Sequence, residues 1–234
     1  MKNVVHLCDC MEFMKGIPDK YYELAIVDPP YGIGEDASHN ATGDRPTAKW
    51  KNPNSVKYKT FNDSRPPEKE YFEELFRVSK NQIIWGGNHF ADKLPIKTGW
   101  IVWDKKADIK ECLSMCELAW SSFDIKCNKF EFLWAGFKKK VQEHRIHPTQ
   151  KPVALYKWLL KNYAKPNDKI FDSHVGSGSI RIACHDMGFD FEGCEIDKDY
   201  WEAQEERYNT HISQQDLFSG EELQEIIYSD GVLI

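Results

Sequence analysis

No apolar run in the 234-residue chain approaches the ~20 residues that a membrane-spanning helix needs, which excludes a helical membrane protein. Paired cysteines are lacking, for their number is odd. The seven, Cys8, Cys10, Cys112, Cys116, Cys127, Cys184 and Cys194, form no paired framework for a chain of this size, so free thiols are expected. Neither Cys8 with Cys10 nor Cys112 with Cys116 has the two-residue spacing of a common zinc ribbon. His147 and His174 have no third ligand clustered beside them, so no metal is expected. An excess of positive charge is missing too: 31 Lys and Arg stand against 37 Asp and Glu, a net charge of −6. That balance argues against indiscriminate coating of nucleic acid and leaves room for a local basic face. The first nine residues reach a charge too soon for a secretory signal, and a cytoplasmic location is expected. Internal repeats and low-complexity tracts are absent.

What the chain does have is an alternation of short apolar runs with amphipathic stretches, the rhythm of an α/β sheet domain. Seven strand candidates cover 4–7, 23–27, 82–85, 100–103, 116–120, 169–172 and 191–195. Helical spacing of Phe72, Leu75 and Phe76 predicts a helix over 68–78, and Leu155, Leu159 and Tyr163 predict another over 153–163. Residues 199–208 read as a charged, exposed helix, and Pro152 suits a first helical turn. One domain over 1–234 is the expectation at this length. Two stretches break the rhythm. Residues 34–67 are polar, aperiodic and hold four prolines, the pattern of a long mobile loop. Residues 121–146 combine Phe130, Phe132, Leu133 and Trp134 with a basic run.

Two constellations carry chemistry. Asp28-Pro29-Pro30-Tyr31 follows the strand candidate ending at Val27. A carboxylate there lies where open α/β sheets place ligands, and the prolines stiffen its backbone. A bare Asp-Pro-Pro is most simply a capped turn, but Tyr31 adds a π face suited to a planar base whose exocyclic amine the acid would bind. The second is Asp172-Ser173-His174-Val175-Gly176-Ser177-Gly178, a strand running through a glycine turn into a helix. Such a turn lets backbone approach a ligand. It fails the dinucleotide fingerprint, because Arg181 stands where the third glycine belongs, and it lacks the Gly-Lys-Ser/Thr of a nucleoside triphosphate loop, which disfavours an oxidoreductase. Glu195, at the end of the next strand candidate, is placed to accept hydrogen bonds from ribose hydroxyls. Turn and acid together suggest an adenosine-containing cofactor.

With these residues in view the chain resembles the S-adenosylmethionine-dependent DNA amino-methyltransferases, which modify adenine N6 or cytosine N4. Asp28 to Tyr31 matches the catalytic motif, His147-Pro148-Thr149-Gln150-Lys151-Pro152 the motif before the cofactor loop, and residues 171–179 that loop. Catalytic motif first and cofactor loop late is the order of the circularly permuted beta class. Trp85-Gly86-Gly87-Asn88, Trp100-Ile101-Val102-Trp103-Asp104 and Cys116-Glu117-Leu118-Ala119-Trp120 resemble phage and prophage members. The chain departs from the family at Ser173 and His174, where proline and phenylalanine are usual, and in having only a short recognition segment.

The resemblance implies a Rossmann-like methyltransferase fold, a seven-stranded mixed sheet flanked by helices. It implies transfer of a methyl group from S-adenosylmethionine to a flipped-out adenine in double-stranded DNA, within a bacterial or phage-infected cell. Aspartate at position 28, where cytosine enzymes of this kind more often carry serine, favours adenine. Cytosine-N4 methylation is the alternative, and a non-catalytic DNA-binding subunit is disfavoured by the intact motif. Asp28, Pro29, Pro30 and Tyr31 are the implied catalytic residues. Asp9 would contact the cofactor's adenine, with Cys10 beside it. Glu195 would hold the ribose, and Gly176, Ser177, Gly178 and His174 would line the methionine end. Asp172 would meet the ammonium, and Thr149 and Lys151 the carboxylate. Lys138, Lys139, Lys140, His144 and Arg145, with Lys49, Lys51, Lys57, Lys59 and Arg65 of the long loop, are the implied DNA contacts. A homodimer is common in this class.

Overall fold

In the computed structural model the described residues are 2–34, 59, 63, 65–106, 114–135, 138, 139 and 145–215. Strand β1 (Asn3–Leu7) leads into α1 (Cys10–Lys15), whose first turn is capped by Asp9: its Oδ1 accepts from the amides of Met11 at 2.7 Å and Glu12 at 3.2 Å. β2 (Tyr22–Val27) is buried at five of its six positions, the near-continuous apolar run expected of a central parallel strand. α2 (Lys69–Val78) buries Tyr71, Phe72, Leu75 and Val78 along one stripe and runs directly into β3 (Ser79–Trp85). A single 3-10 turn at Gly87–His89 follows, then β4 (Trp100–Asp104) and β5 (Cys116–Ser121). β6 (Asn128–Glu131) precedes a two-residue hairpin of β7 (Trp134–Ala135) and β8 (Lys138–Lys139). The chain closes with α3 (Val153–Tyr163), β9 (Lys169–Asp172), α4 (Ser179–Met187), β10 (Asp190–Glu195) and α5 (Lys198–Gln215).

The main sheet has eight strands in the order β1-β10-β9-β2-β3-β5-β4-β6. The first five are mutually parallel; β5 is antiparallel to β3 and β4, and β6 runs parallel to β4. All seven strands expected from the sequence are present. The eighth, β6, carries no such signal because an edge strand needs no apolar run: Lys129 and Glu131 face solvent and pair with each other. Pro152 stands at the N-cap of α3, one position before its first turn, and the last helix is longer than its charged stretch suggests. Most of the long loop, including Lys49, Lys51 and Lys57, lies outside the described residues, as do Cys112, Lys140 and His144. No helix among the described residues is long and apolar enough to cross a membrane.

Helices cover both faces, and strand alternation divides the core accordingly. Leu24, Ile26, Ile83 and Trp85 join Leu155, Leu159 and Ile180 on one face, while Ala25, Val27 and Ile84 join Tyr71, Phe72 and Leu75 on the other. Arg181, the residue that breaks the glycine fingerprint, is buried and structural. Its guanidinium donates to Asn3 Oδ1 at 2.8 Å, Gln204 Oε1 at 2.8 Å and Glu205 Oε1 at 2.7 Å, stitching α4 to β1 and α5. Because five neighbouring strands are parallel, their C-terminal ends share one sheet edge. Register pairs Leu7 with Glu195, Gly193 with Asp172 and Ala25 with Phe171. Asp9, Glu195, Asp172 and Asp28 therefore stand along that edge on four adjacent strands.

Candidate active site

At the β2 end, Asp28 has both carboxylate oxygens engaged. Tyr31 donates its hydroxyl to Oδ1 at 2.6 Å, and the Lys151 ammonium donates to Oδ2 at 2.5 Å. Lys151, with a side chain only 3% exposed, also lies 3.1 Å from Glu117 Oε2, and Glu117 Oε1 meets Lys105 at 2.6 Å. Four alternating charges thus run from the sheet edge back to β5 and the end of β4. Burial works to discharge Lys151, yet Asp28 and Glu117 outweigh it and hold the ammonium above its ordinary range. Burial likewise opposes the Glu117 carboxylate, but Lys151 and Lys105 bring it down to about 2.

The Tyr31 ring is fixed from two directions. His89 lies nearly parallel to it, with centroids 5.0 Å apart, and Gly86 lies beneath it. Gly86 adopts φ +69°, and a Cβ there would sit 2.2 Å from a Tyr31 ring carbon, so only glycine fits. Burial first, then Asp28 and Glu117, push the Tyr31 hydroxyl well above its ordinary range, so it remains a donor. Downstream, Asp63 accepts from the Gly32 amide at 2.8 Å and its carbonyl from the Gly34 amide at 3.2 Å, pinning the turn.

The second half of the edge is built differently. Gly176 and Gly178 take φ of +53° and +72°, and Glu195 Oε2 accepts from the Gly176 amide at 2.8 Å, tying the glycine turn to the end of β10. Burial raises the Glu195 carboxyl above its usual range. Asp172 Oδ1 accepts from the His174 amide at 3.0 Å, and among the described residues Asp172 has no ion-pair partner. Burial, reinforced by Asp28 and Glu195, lifts its carboxyl to about 8. Ser173 and His174, the departures from the family pattern, complete a chain of hydrogen bonds: Tyr71 Oη to Ser173 Oγ at 2.6 Å and Ser173 Oγ to His174 Nδ1 at 2.8 Å. Burial holds His174 down at about 4, so its ring is neutral and packs edge-on against Tyr71.

The structure therefore brings together Asp28, Tyr31 and Lys151 in one cluster, and Asp172, His174, Gly176, Gly178 and Glu195 in another. Ser177 is buried beside the second, its Oγ 3.2 Å from Ser179 Oγ. Asp9 caps α1 with the half-buried Cys10 next to it; burial pushes that thiol up to about 12, so it keeps its proton. Thr149 is exposed and bonds His147 Nδ1 at 3.0 Å. Of the basic cluster, Lys138 and Lys139 form β8, and Arg145 donates to the Pro148 carbonyl. Lys105, His89 and Asp63 are site residues that no sequence motif singles out, and Glu117 lies in a motif, Cys116 to Trp120, that assigns it no role. The available signal is an acid at position 117 inside an otherwise apolar strand.

A family model described as DNA methylase matches residues 102–206. The type II methyltransferase M.HpaI of Haemophilus parainfluenzae is 24% identical over 248 residues, covering 88% of this chain and 74% of that one. Over these residues the chain is similar to the N6/N4 DNA methylases. The chain shares its fold with M1.HpyAVI, solved as a SAM complex, at TM-score 0.54 and 18% identity over 87% of this chain and 98% of that one. It also shares it with the cytosine-N4-specific PvuII DNA methyltransferase, at TM-score 0.59 and 10% identity over 89% of this chain and 86% of that one. The Asp28 turn comes early in the chain and the glycine turn late, and the sheet places them at the ends of the neighbouring strands β2 and β9.

Proposed function

We propose that this chain transfers the methyl group of S-adenosylmethionine to the exocyclic amine of adenine in duplex DNA. The observation that carries the reading is the position of Asp28: a fixed carboxylate at the end of β2, beside a second strand end where the buried carboxyl of Asp172 has no ion-pair partner among the described residues. That carboxyl fits an amino acid's ammonium, and the glycine turn, open to backbone approach, fits a methionine chain beside it. Glu195 would accept from ribose hydroxyls, and Asp9 from the adenine amine. When bound, the cofactor supplies a sulfonium-activated methyl group.

The chain's own task is to make a poor nucleophile attack. An adenine amine shares its lone pair with the ring, and the Asp28 carboxylate and Pro29 carbonyl would each accept one of its hydrogens, favouring a pyramidal nitrogen. The Tyr31 hydroxyl fixes the rotation of that carboxylate. A flipped base would stack on Tyr31 by taking the place of His89. The proton that the nitrogen sheds after methylation faces Asp28. Adenine is favoured over cytosine by aspartate at position 28. Lys138, Lys139, Lys140, His144 and Arg145 supply phosphate contacts in this reading.

Incubating the purified chain with methyl-labelled S-adenosylmethionine and mixed-sequence duplex DNA, then identifying the modified nucleoside, tests the reading. N6-methyladenine is the expected product; N4-methylcytosine overturns the base choice, and no labelled base overturns the activity. Replacing Lys138, Lys139 and Lys140 by alanine should flatten the salt dependence of DNA affinity by up to about one log unit per lost phosphate contact. An unchanged slope removes that segment from the interface.

A further inference from the structure

Lys151 presents a problem of charge. An ammonium with a 3% exposed side chain is costly to keep ionised, and a single carboxylate 2.5 Å away offers it an escape. The proton can move from Nζ to Asp28 Oδ2, leaving a neutral amine and a neutral carboxylic acid with no net change of charge in the pocket. In that form the Oδ2 needed to accept a hydrogen from the substrate amine already carries one of its own. The groups around Nζ decide which form prevails. Asp28 lies on one side and Glu117 on the other, 3.1 Å away. The Tyr31 hydroxyl is 3.3 Å off and already donates to Asp28. The Trp85 ring, with its centroid 5.4 Å from Nζ, attracts the cation but accepts no proton. Tyr156, Asp172 and His147 form the more distant surroundings, and Lys105 faces the far oxygen of Glu117.

We propose that Glu117 is a positioning residue for the methylation reaction: by holding Lys151 as a counter-ion shared between two carboxylates, it keeps the ammonium charged and leaves Asp28 an ionised acceptor for the substrate amine. Glu117 touches no substrate in this arrangement and acts only through Lys151. It also offers Lys151 a second place to rest when the arriving amine takes part of Asp28's hydrogen-bonding capacity. The chain of charges Asp28, Lys151, Glu117 and Lys105 is neutral as a whole, so removing one inner member unbalances the rest. The inference rests on the proposed methyltransferase activity and adds a residue to it.

The test compares Glu117→Gln, Glu117→Asp and Lys151→Met with the unaltered full chain. Five quantities are measured: kcat and KM for DNA, cofactor affinity by calorimetry, melting temperature, and the charge state of Lys151. The last is read at pH 8 from the side-chain carbon resonances of ¹³C-lysine-labelled protein, with Lys151→Met supplying the assignment. Glu117→Gln should lower kcat roughly 10²-fold with KM and cofactor affinity nearly unchanged, and should move the Lys151 resonance to that of a neutral amine. Glu117→Asp should restore most of kcat and the charged resonance. A charged Lys151 with undiminished kcat in Glu117→Gln overturns the proposal. So does a kcat loss that follows melting temperature and is no smaller for Asp than for Gln. If the unaltered chain transfers no methyl group at all, the functional reading fails instead, while the Lys151 resonance still reports on Glu117.

Discussion

The two halves of the sheet edge treat buried charge in opposite ways. Around Asp28 every carboxylate meets a cation within the protein, and the alternating chain through Lys151, Glu117 and Lys105 closes on itself. Around Asp172 the carboxyls have, among the described residues, hydrogen bonds from backbone amides alone, and burial drives them toward the protonated state. In the proposed reaction the β2 side is a tool already assembled, and the β9–β10 side is where the cofactor's positive charge would be received.

The sharpest way to break this comparison is to remove one acid from each half. Asp28→Ala should abolish methyl transfer, by on the order of 10³-fold or more, while cofactor affinity measured by calorimetry stays within about twofold. Asp172→Asn should do the reverse. Cofactor affinity should weaken roughly 10- to 100-fold, the worth of a charged hydrogen bond, while kcat at saturating cofactor is largely kept. If both variants lose the same function, the division into two halves is wrong.

Proton traffic sharpens the contrast. In the free protein Asp172 holds its proton up to about pH 8, against a usual carboxyl value near 3.8. The native state therefore binds more protons than the unfolded chain between those limits, and its contribution to stability falls as pH rises through them. Binding an ammonium there requires the ionised form, so cofactor binding at pH 7 should release a proton. Calorimetry in buffers of different ionisation enthalpy would show it, and Asp172→Asn should abolish it.

The smallest effect belongs to His174. Its folded value of about 4 lies below the ordinary 6.5, so the unfolded state binds the extra proton, and stability is lost as pH falls from about 6.5 to 4. His174→Phe, which places the family's usual residue there, should shallow the acid limb of a pH–melting-temperature profile by a few degrees. An unchanged acid limb would show that His174 is not buried neutral.

Much of this architecture is legible from residues alone because buried parallel strands tend to be apolar. Strands β2, β3 and β9 carry such runs, and the acids at the ends of β2, β9 and β10, Asp28, Asp172 and Glu195, then fall on one edge. β6 is hidden because it covers an edge and not a core. Lys151 is legible as a residue of the site, but the direction of its ammonium is not. A four-carbon stem reaches several carboxylates, and only packing selects Asp28. Glu117 shows its strand but no role, because that role arises from contact with residues remote in sequence.

Gly86 touches neither the base nor the cofactor in the proposed reaction, yet it has almost no freedom to vary. Its backbone sits in the left-handed region, and any side chain would strike the Tyr31 ring that locks Asp28. In a library randomised across the catalytic turn and selected for methylation, position 86 should return glycine from every survivor. An engineer seeking to change base preference at Tyr31 would therefore have to work above the ring, since its floor accepts no substitution.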